Sequence, residues 1–269
     1  MKQWFKAAVG DIHMAGALLA SPGLIAMYRF DAVVATETKD EEGSFGLDCK
    51  VRAGGASDDS SLCITAGGGG VVNDHLLFSG VEFMESLADV PALAAHTVEL
   101  WVRTACSACG LASLPSGGSL LLGPDGRLAA AAPGAAEPQT WASEGPAVND
   151  GRYHFVAHSL GSSHGERLFV DGALVAQRSA AASSADGWAA AASKISFGAA
   201  SADMTSTAIF TGEMDEAAVF STEVTAAMLA MHMNAATWAG RGPTFAERHL
   251  AAPCQDSRVV QIVPPCGDR

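Results

Sequence analysis

Apolar and polar residues alternate strictly along Thr97–Thr104. Val98, Leu100 and Val102 point one way, and Thr97, Glu99, Trp101 and Arg103 the other. A period of two marks a β-strand, with one row facing a core and the other lining the outer or concave surface of a sheet. Strand-like runs recur over Tyr153–Ser159, Glu166–Val170 and Ala173–Gln177. Between the last two lies Asp171-Gly172, a hairpin signal, because both central residues of a type I′ turn need positive φ. With the Asn149-Asp150-Gly151 turn and the Gly161–Gly165 loop, residues 148–178 read as an antiparallel meander. Leu24–Phe30, Ile195–Phe197 and Ala208–Phe210 are further strand candidates, and residues 47–84 read as short strands cut by Gly-rich turns. Gly67–Gly70 reads as a surface loop, since neither Gly-Lys-Ser/Thr nor a strand-to-helix setting accompanies it.

The period becomes helical from Glu223 to Ala236. Thr222 is the expected cap, and Val224, Met228, Met231 and His232 form the expected inward face. Residues 1–20 also follow helical spacing through Trp4, Phe5, Ala8, Val9, Ile12 and Leu19. Asp11 and His13 interrupt the apolar run that a signal peptide requires, so this stretch reads as an amphipathic helix or an incomplete N-terminus. No apolar run reaches about 18 residues, so no membrane-spanning helix is expected.

Four segments carry a family resemblance. The first is Gly23–Asp31 and the second is His96–Arg103. The third is Asp150-Gly151, Tyr153-His154, Val156-Ala157 followed by Arg167-Leu168, Val170-Asp171-Gly172 and Leu174-Val175-Ala176. The fourth is Phe210–Phe220, followed by a short helix. In order and spacing these resemble the laminin G-like jelly rolls of the concanavalin A-like lectin/glucanase superfamily, over roughly residues 23–236. The resemblance implies an all-β fold: a two-sheet antiparallel jelly-roll sandwich with a short C-terminal helix. With the helical spacing of the N-terminus and the cysteines of the tail, the expected organisation is an N-terminal helical extension at 1–20, the jelly roll at 21–240 and a cysteine-containing extension at 241–269.

Composition narrows the function classes. A net charge of −13 leaves no basic stripe to neutralise phosphates, which argues against a nucleic-acid partner and disfavours anionic lipid. Aromatic residues make up only 7%, so platforms for stacking sugars are scarce; Trp141 and Trp188, both expected in loops, are the candidates. Cys49, Cys63, Cys106, Cys109, Cys254 and Cys266 fall into three sequence-local pairs. The favoured pairings are Cys49–Cys63, Cys106–Cys109 and Cys254–Cys266, against the competing reading of six unrelated buried thiols. An even count in a β-rich chain suggests an oxidising compartment, hence an extracellular or secretory-pathway setting within a larger surface protein. Cys106-Ser-Ala-Cys109 follows a strand rather than opening a helix, so a structural disulfide is expected there, not a redox motif.

The resemblance also supplies a test for catalysis. Retaining glucanases of the superfamily carry Glu-x-Asp-x-x-Glu, which places nucleophile and acid/base about 5–5.5 Å apart. The nearest match is Glu213-Met-Asp215-Glu216-Ala217-Ala218, with alanine where the second glutamate is needed. No catalytic residue is therefore assigned, and no catalytic triad is recognisable. Some relatives carry a rim calcium. Asp31 and Asp215 are the implied ligands here, with Asn149 and Asp150 weaker candidates, because calcium takes several hard oxygens. Asp150 and Asp171 read first as turn formers. His154 and His158 share a strand face, but no carboxylate partner for them is identifiable in the sequence. The expected function is a non-catalytic module that binds a glycan or an extracellular protein through rim loops, with calcium assistance. The alternatives are a structural subunit of a larger assembly and a divergent glycan-active enzyme.

Overall fold

The computed structural model describes residues 17–18, 21–30, 37–38, 40, 43–51, 65–68, 70–72, 74–115, 118–131, 140–179, 192–200 and 209–241. Its strands are β1 (Leu24–Tyr28), β2 (Glu37–Thr38), β3 (Leu47–Val51), β4 (Thr65–Gly68), β5 (Asp74–Ser79), β6 (Glu82–Ser86), β7 (His96–Thr104), β8 (Gly110–Ser113), β9 (Ser119–Leu122), β10 (Arg127–Ala131), β11 (Thr140–Ala147), β12 (Tyr153–Gly161), β13 (Gly165–Val170), β14 (Ala173–Arg178), β15 (Ser196–Phe197) and β16 (Thr211–Phe220), followed by helix α1 (Ala226–Arg241). They form two antiparallel sheets. One has the order β14-β13-β12-β7-β16-β5-β4, with β1 also on β16, and the other is β11-β10-β9-β8-β15-β6-β3-β2.

The expected meander is present as β12, β13 and β14, and its turn is built as the sequence requires: Asp171 and Gly172 have φ of 50° and 77°. The alternation of β7 sorts its residues as anticipated. Val98, Leu100 and Val102 enter the core between the sheets with Leu76, Val156, Leu168 and Met214 from the same sheet and Leu47, Met84, Leu111, Leu120 and Phe197 from the other. Phe197 meets Tyr28 and Phe30 edge-on, at centroid distances of 5.5 Å and 5.8 Å. The core face also holds polar groups at one end. His96 stacks on His158 at 5.2 Å, and His158 Nε2 lies 2.9 Å from Glu166.

The opposite face of the first sheet is ordered in cross-strand rows. Leu77, Glu213, Arg103 and Tyr153 form one row, and Asp215, Trp101 and Phe155 the next. Met27, Ala218, Glu99, Ala157 and Phe169 form a third. A second hydrophobic cluster covers the inner rows, with Leu18, Val72, Val224, Leu229 and Ala236 packed on Met27, Trp101, Phe155 and Phe169. Complete burial of a side chain such as Leu229 stabilises by about 1.5–3 kcal/mol. This packing seats α1 on the sheet and leaves the first row at the margin.

Several local expectations are corrected. The backbone N–H of Met228 donates to Thr225 Oγ1, so Thr225 caps the helix; Thr222 instead donates its hydroxyl to the Pro22 carbonyl. Met231 is 47% exposed and leaves the inward face, while His232 is fully buried in it. Gly67 and Gly68 belong to β4 rather than to a loop. Trp141 lies in β11, paired with Ala130, and not in a loop. Asp31, Cys63, Trp188, Cys254 and Cys266 lie outside the described residues, as do most of the two terminal extensions. Among the described residues no helix is long and apolar enough to cross a membrane.

Candidate functional site

The row Leu77, Glu213, Arg103 and Tyr153 stands where four strands end or begin. β7 closes at Thr104, β12 opens at Tyr153, β16 opens at Thr211 and β5 closes at Ser79. The turns around it are tied together. Cys106 and Cys109 form a disulfide, the Cys106 N–H donates to Thr104 Oγ1, and the Gly151 N–H donates to the Thr104 carbonyl. Cys49 is also disulfide-bonded.

Glu213 is the hub of the row. The Arg103 guanidinium donates to its Oε1, the Tyr153 hydroxyl donates to Oε2 at 2.7 Å, and His75 Nε2 lies 3.5 Å from Oε2. The Arg103 guanidinium also lies over the Tyr153 ring, 5.1 Å from its centroid. Burial, and then the bond to Glu213, push the Tyr153 phenol far above its ordinary pKa, so it remains a neutral donor. The row reaches solvent: the Arg103 side chain is 40% exposed and Leu77 44% exposed. An aromatic ring, a guanidinium, a carboxylate and an apolar side chain on one open ledge can hold a small polar ring by stacking and hydrogen bonding. The sequence showed that Glu99, Trp101 and Arg103 share a face. It gave no sign that Glu213 and Tyr153 join them, because that depends on strand register.

Asp215 lies behind the row and is fully buried; its Oδ2 accepts the Val72 N–H at 3.0 Å. β1 and β16 do lie side by side, as the implied calcium pair requires. Among the described residues, however, no three His, Cys, Asp or Glu side chains converge in a way that could hold a metal. Asn149 and Asp150 sit in the turn before β12, where Asp150 accepts the Arg152 N–H as a turn former does.

The catalytic comparison can be made in three dimensions. Register shifts between Asp215 and Ala218, and Glu216 takes a φ of 46°, so β16 carries a bulge. Glu216 is fully buried, with Arg29 Nε 3.6 Å from its carboxylate. The bulge brings Ala218 onto the same face as Glu213 and Asp215, so the place for a second glutamate on this strand is held by alanine. Its cross-strand neighbour there is Glu99.

Glu99 belongs to a line of groups absent from the sequence reading. Its carboxylate is 3.0 Å from His232 Nδ1, and His232 Nε2 is 2.7 Å from Ser21 Oγ. The spacing is that of a nucleophile relay, but Ser21 Oγ also donates to the Ala17 carbonyl at 2.9 Å. A hydroxyl has one proton, so Oγ then accepts from Nε2–H, the reverse of the polarity that activates a serine. As bonded, the line ties α1, Ser21 and Ala17 to β7. The two strand histidines do have carboxylate partners, contrary to expectation. His154 lies between Asp171, at 2.8 Å, and Asp150, at 3.1 Å, and His158 bonds Glu166. The Asp171 bond, partly offset by burial, raises the His154 pKa.

Comparison with known proteins agrees with this architecture. Domain 4 of an extracellular arabinanase from Geobacillus stearothermophilus, solved with arabinotriose, is similar at a TM-score of 0.58 and 16% identity, over 78% of this chain and 98% of that one. A structure of botulinum neurotoxin type C, whose cell entry is described as dependent on two ganglioside molecules, is similar at a TM-score of 0.57 and 12% identity, over 86% of this chain and 52% of that one. The binding domain of Paraclostridial Mosquitocidal Protein 1 is similar at a TM-score of 0.55 and 11% identity, over 79% and 52%. The chain thus spans about half the length of the toxin structures it matches. No curated protein matches the sequence. The profile of the Laminin G 3 family, described as concanavalin A-like lectin/glucanases superfamily, matches residues 79–230. With both sheets of its jelly roll in place, the chain belongs to this laminin G-like family of the concanavalin A-like lectin/glucanases superfamily.

Proposed function

We propose that this protein is a non-catalytic carbohydrate-recognition module whose contact surface is the Leu77, Glu213, Arg103 and Tyr153 row. The observation that carries the reading is the open ledge itself, with its Tyr153 ring, hydrogen-bonded Glu213 and half-exposed Arg103 held on the ends of paired strands. Similar folds solved with arabinotriose, or described with gangliosides, support it. Alanine at 218 supports the absence of retaining glycosidase chemistry. The Cys106–Cys109 disulfide supports an extracellular setting.

The test is a glycan array probed with the purified, oxidised protein, first with calcium and then with chelator. Binding to at least one glycan is expected, and Tyr153→Ala or Arg103→Ala should weaken it at least tenfold while circular dichroism shows the fold retained. Loss of binding on chelation would support a calcium site involving Asp215 and Asp31. A second reading, a protein partner, is favoured by Leu77 and Val81, which are exposed at 44% and 46% beside the row. A similar structure, the binding domain of botulinum neurotoxin DC, was solved with rat synaptotagmin II. Absence of glycan binding in both conditions would move the conclusion to that reading.

A further inference from the structure

The charges around the row limit what kind of glycan it can take. Arg103 is committed to Glu213. Asp215 adds a further carboxylate directly behind the row, and His75 an imidazole. One guanidinium and one imidazole therefore face two carboxylates, in a chain of net charge −13. A sugar carboxylate or sulfate docking here would have to displace Glu213 from Arg103 and sit among like charges, which repel it.

We infer that the row selects uncharged, hydroxyl-rich sugars and discriminates against sialylated, uronic or sulfated ones. The inference rests on the carbohydrate-recognition reading. Its test uses the full chain on an array carrying matched neutral and acidic glycans, lactose and sialyllactose among them, with affinities of the hits then measured at low and high salt. The expected result is binding to a neutral chain at least tenfold tighter than to its acidic counterpart, with little dependence on salt. In Glu213→Gln, which releases Arg103, the ratio of acidic to neutral affinity should rise at least tenfold. Equal or tighter binding of acidic glycans by the unaltered protein would overturn the inference and leave the recognition reading standing. Binding of neither class would overturn both. The unaltered protein alone decides the matter if the variant fails to fold.

Discussion

His232 Nδ1 stands 3.0 Å from the Glu99 carboxylate, and neither side chain is reached by solvent. Burial pushes the Glu99 pKa up, opposed by its bond to His232. The pair is thus a polar pin inside an otherwise apolar contact between α1 and the sheet. Removing one partner strands the other, whereas removing both leaves a surface that apolar residues can fill. His232→Ala should destabilise by about 3–5 kcal/mol in urea denaturation. The double variant Glu99→Leu with His232→Leu should recover most of that loss. Equal destabilisation by the single and double variants would show that the pin contributes through shape and not through charge.

Acid should destabilise through His96. The residue is fully buried, and burial, followed by the neighbouring His158, holds its pKa well below the ordinary value. The unfolded chain takes up a proton near pH 6.5 that the folded chain refuses, so stability falls as pH falls below that point, by about 1.4 kcal/mol per pH unit. Above it His96 contributes nothing. Measured against His96→Phe, the native protein should lose about 2 kcal/mol more between pH 7 and pH 5. Parallel pH profiles for the two proteins would contradict this.

His154 has the opposite sign. Its bond to Asp171, against some burial, raises its pKa. Its contribution is complete below about pH 6.5 and fades as pH rises through the folded value. Asp171→Asn should weaken that fade, leaving the smaller effect of Asp150, with the His154 titration moving to lower pH in nuclear magnetic resonance.

The Cys106–Cys109 disulfide closes the turn beside Arg103. On the chain-entropy account so short a loop contributes about 2 kcal/mol. Cys106→Ser with Cys109→Ser should lower Tm by about 4–8 °C. If the row is the contact surface, glycan affinity should fall along with it.

Ala218→Glu tests the catalytic comparison. The new carboxylate would stand opposite Glu99 on a fully buried face. Two buried acids without a shared cation repel and resist ionisation. A loss above about 3 kcal/mol and no glucan turnover are expected; turnover in a reducing-sugar assay would show that alanine alone separates this chain from an enzyme.

The sequence was most readable where structure is local. The β12, β13 and β14 meander, its Asp171-Gly172 turn and the two faces of β7 follow from period and turn chemistry within a few residues. The ledge was not readable, because Glu213 and Arg103 meet only after strands 110 residues apart pair in one register. Ser21 and His232 are 211 residues apart, and their contact depends on how α1 docks. A strand can announce its own faces but not its neighbours. For the same reason the carboxylate partners of His154 and His158, which lie on adjacent strands and turns, are not legible along the chain.

The bulge at Glu216 sets the phase of β16. Ahead of it Glu213 and Asp215 look outward and Met214 inward; beyond it Ala217 and Val219 point inward and Ala218 and Phe220 outward. The strand therefore carries two reading frames joined at one residue. Straightening the strand with Glu216 still in it would turn one half over, either driving the ledge's carboxylate into the core or bringing Phe220 out of its seat beneath α1. Deleting Glu216 would instead leave Ala217 alone opposite Leu100 and keep every side chain on its present face. The extra residue and the kink that absorbs it are thus tolerated only together.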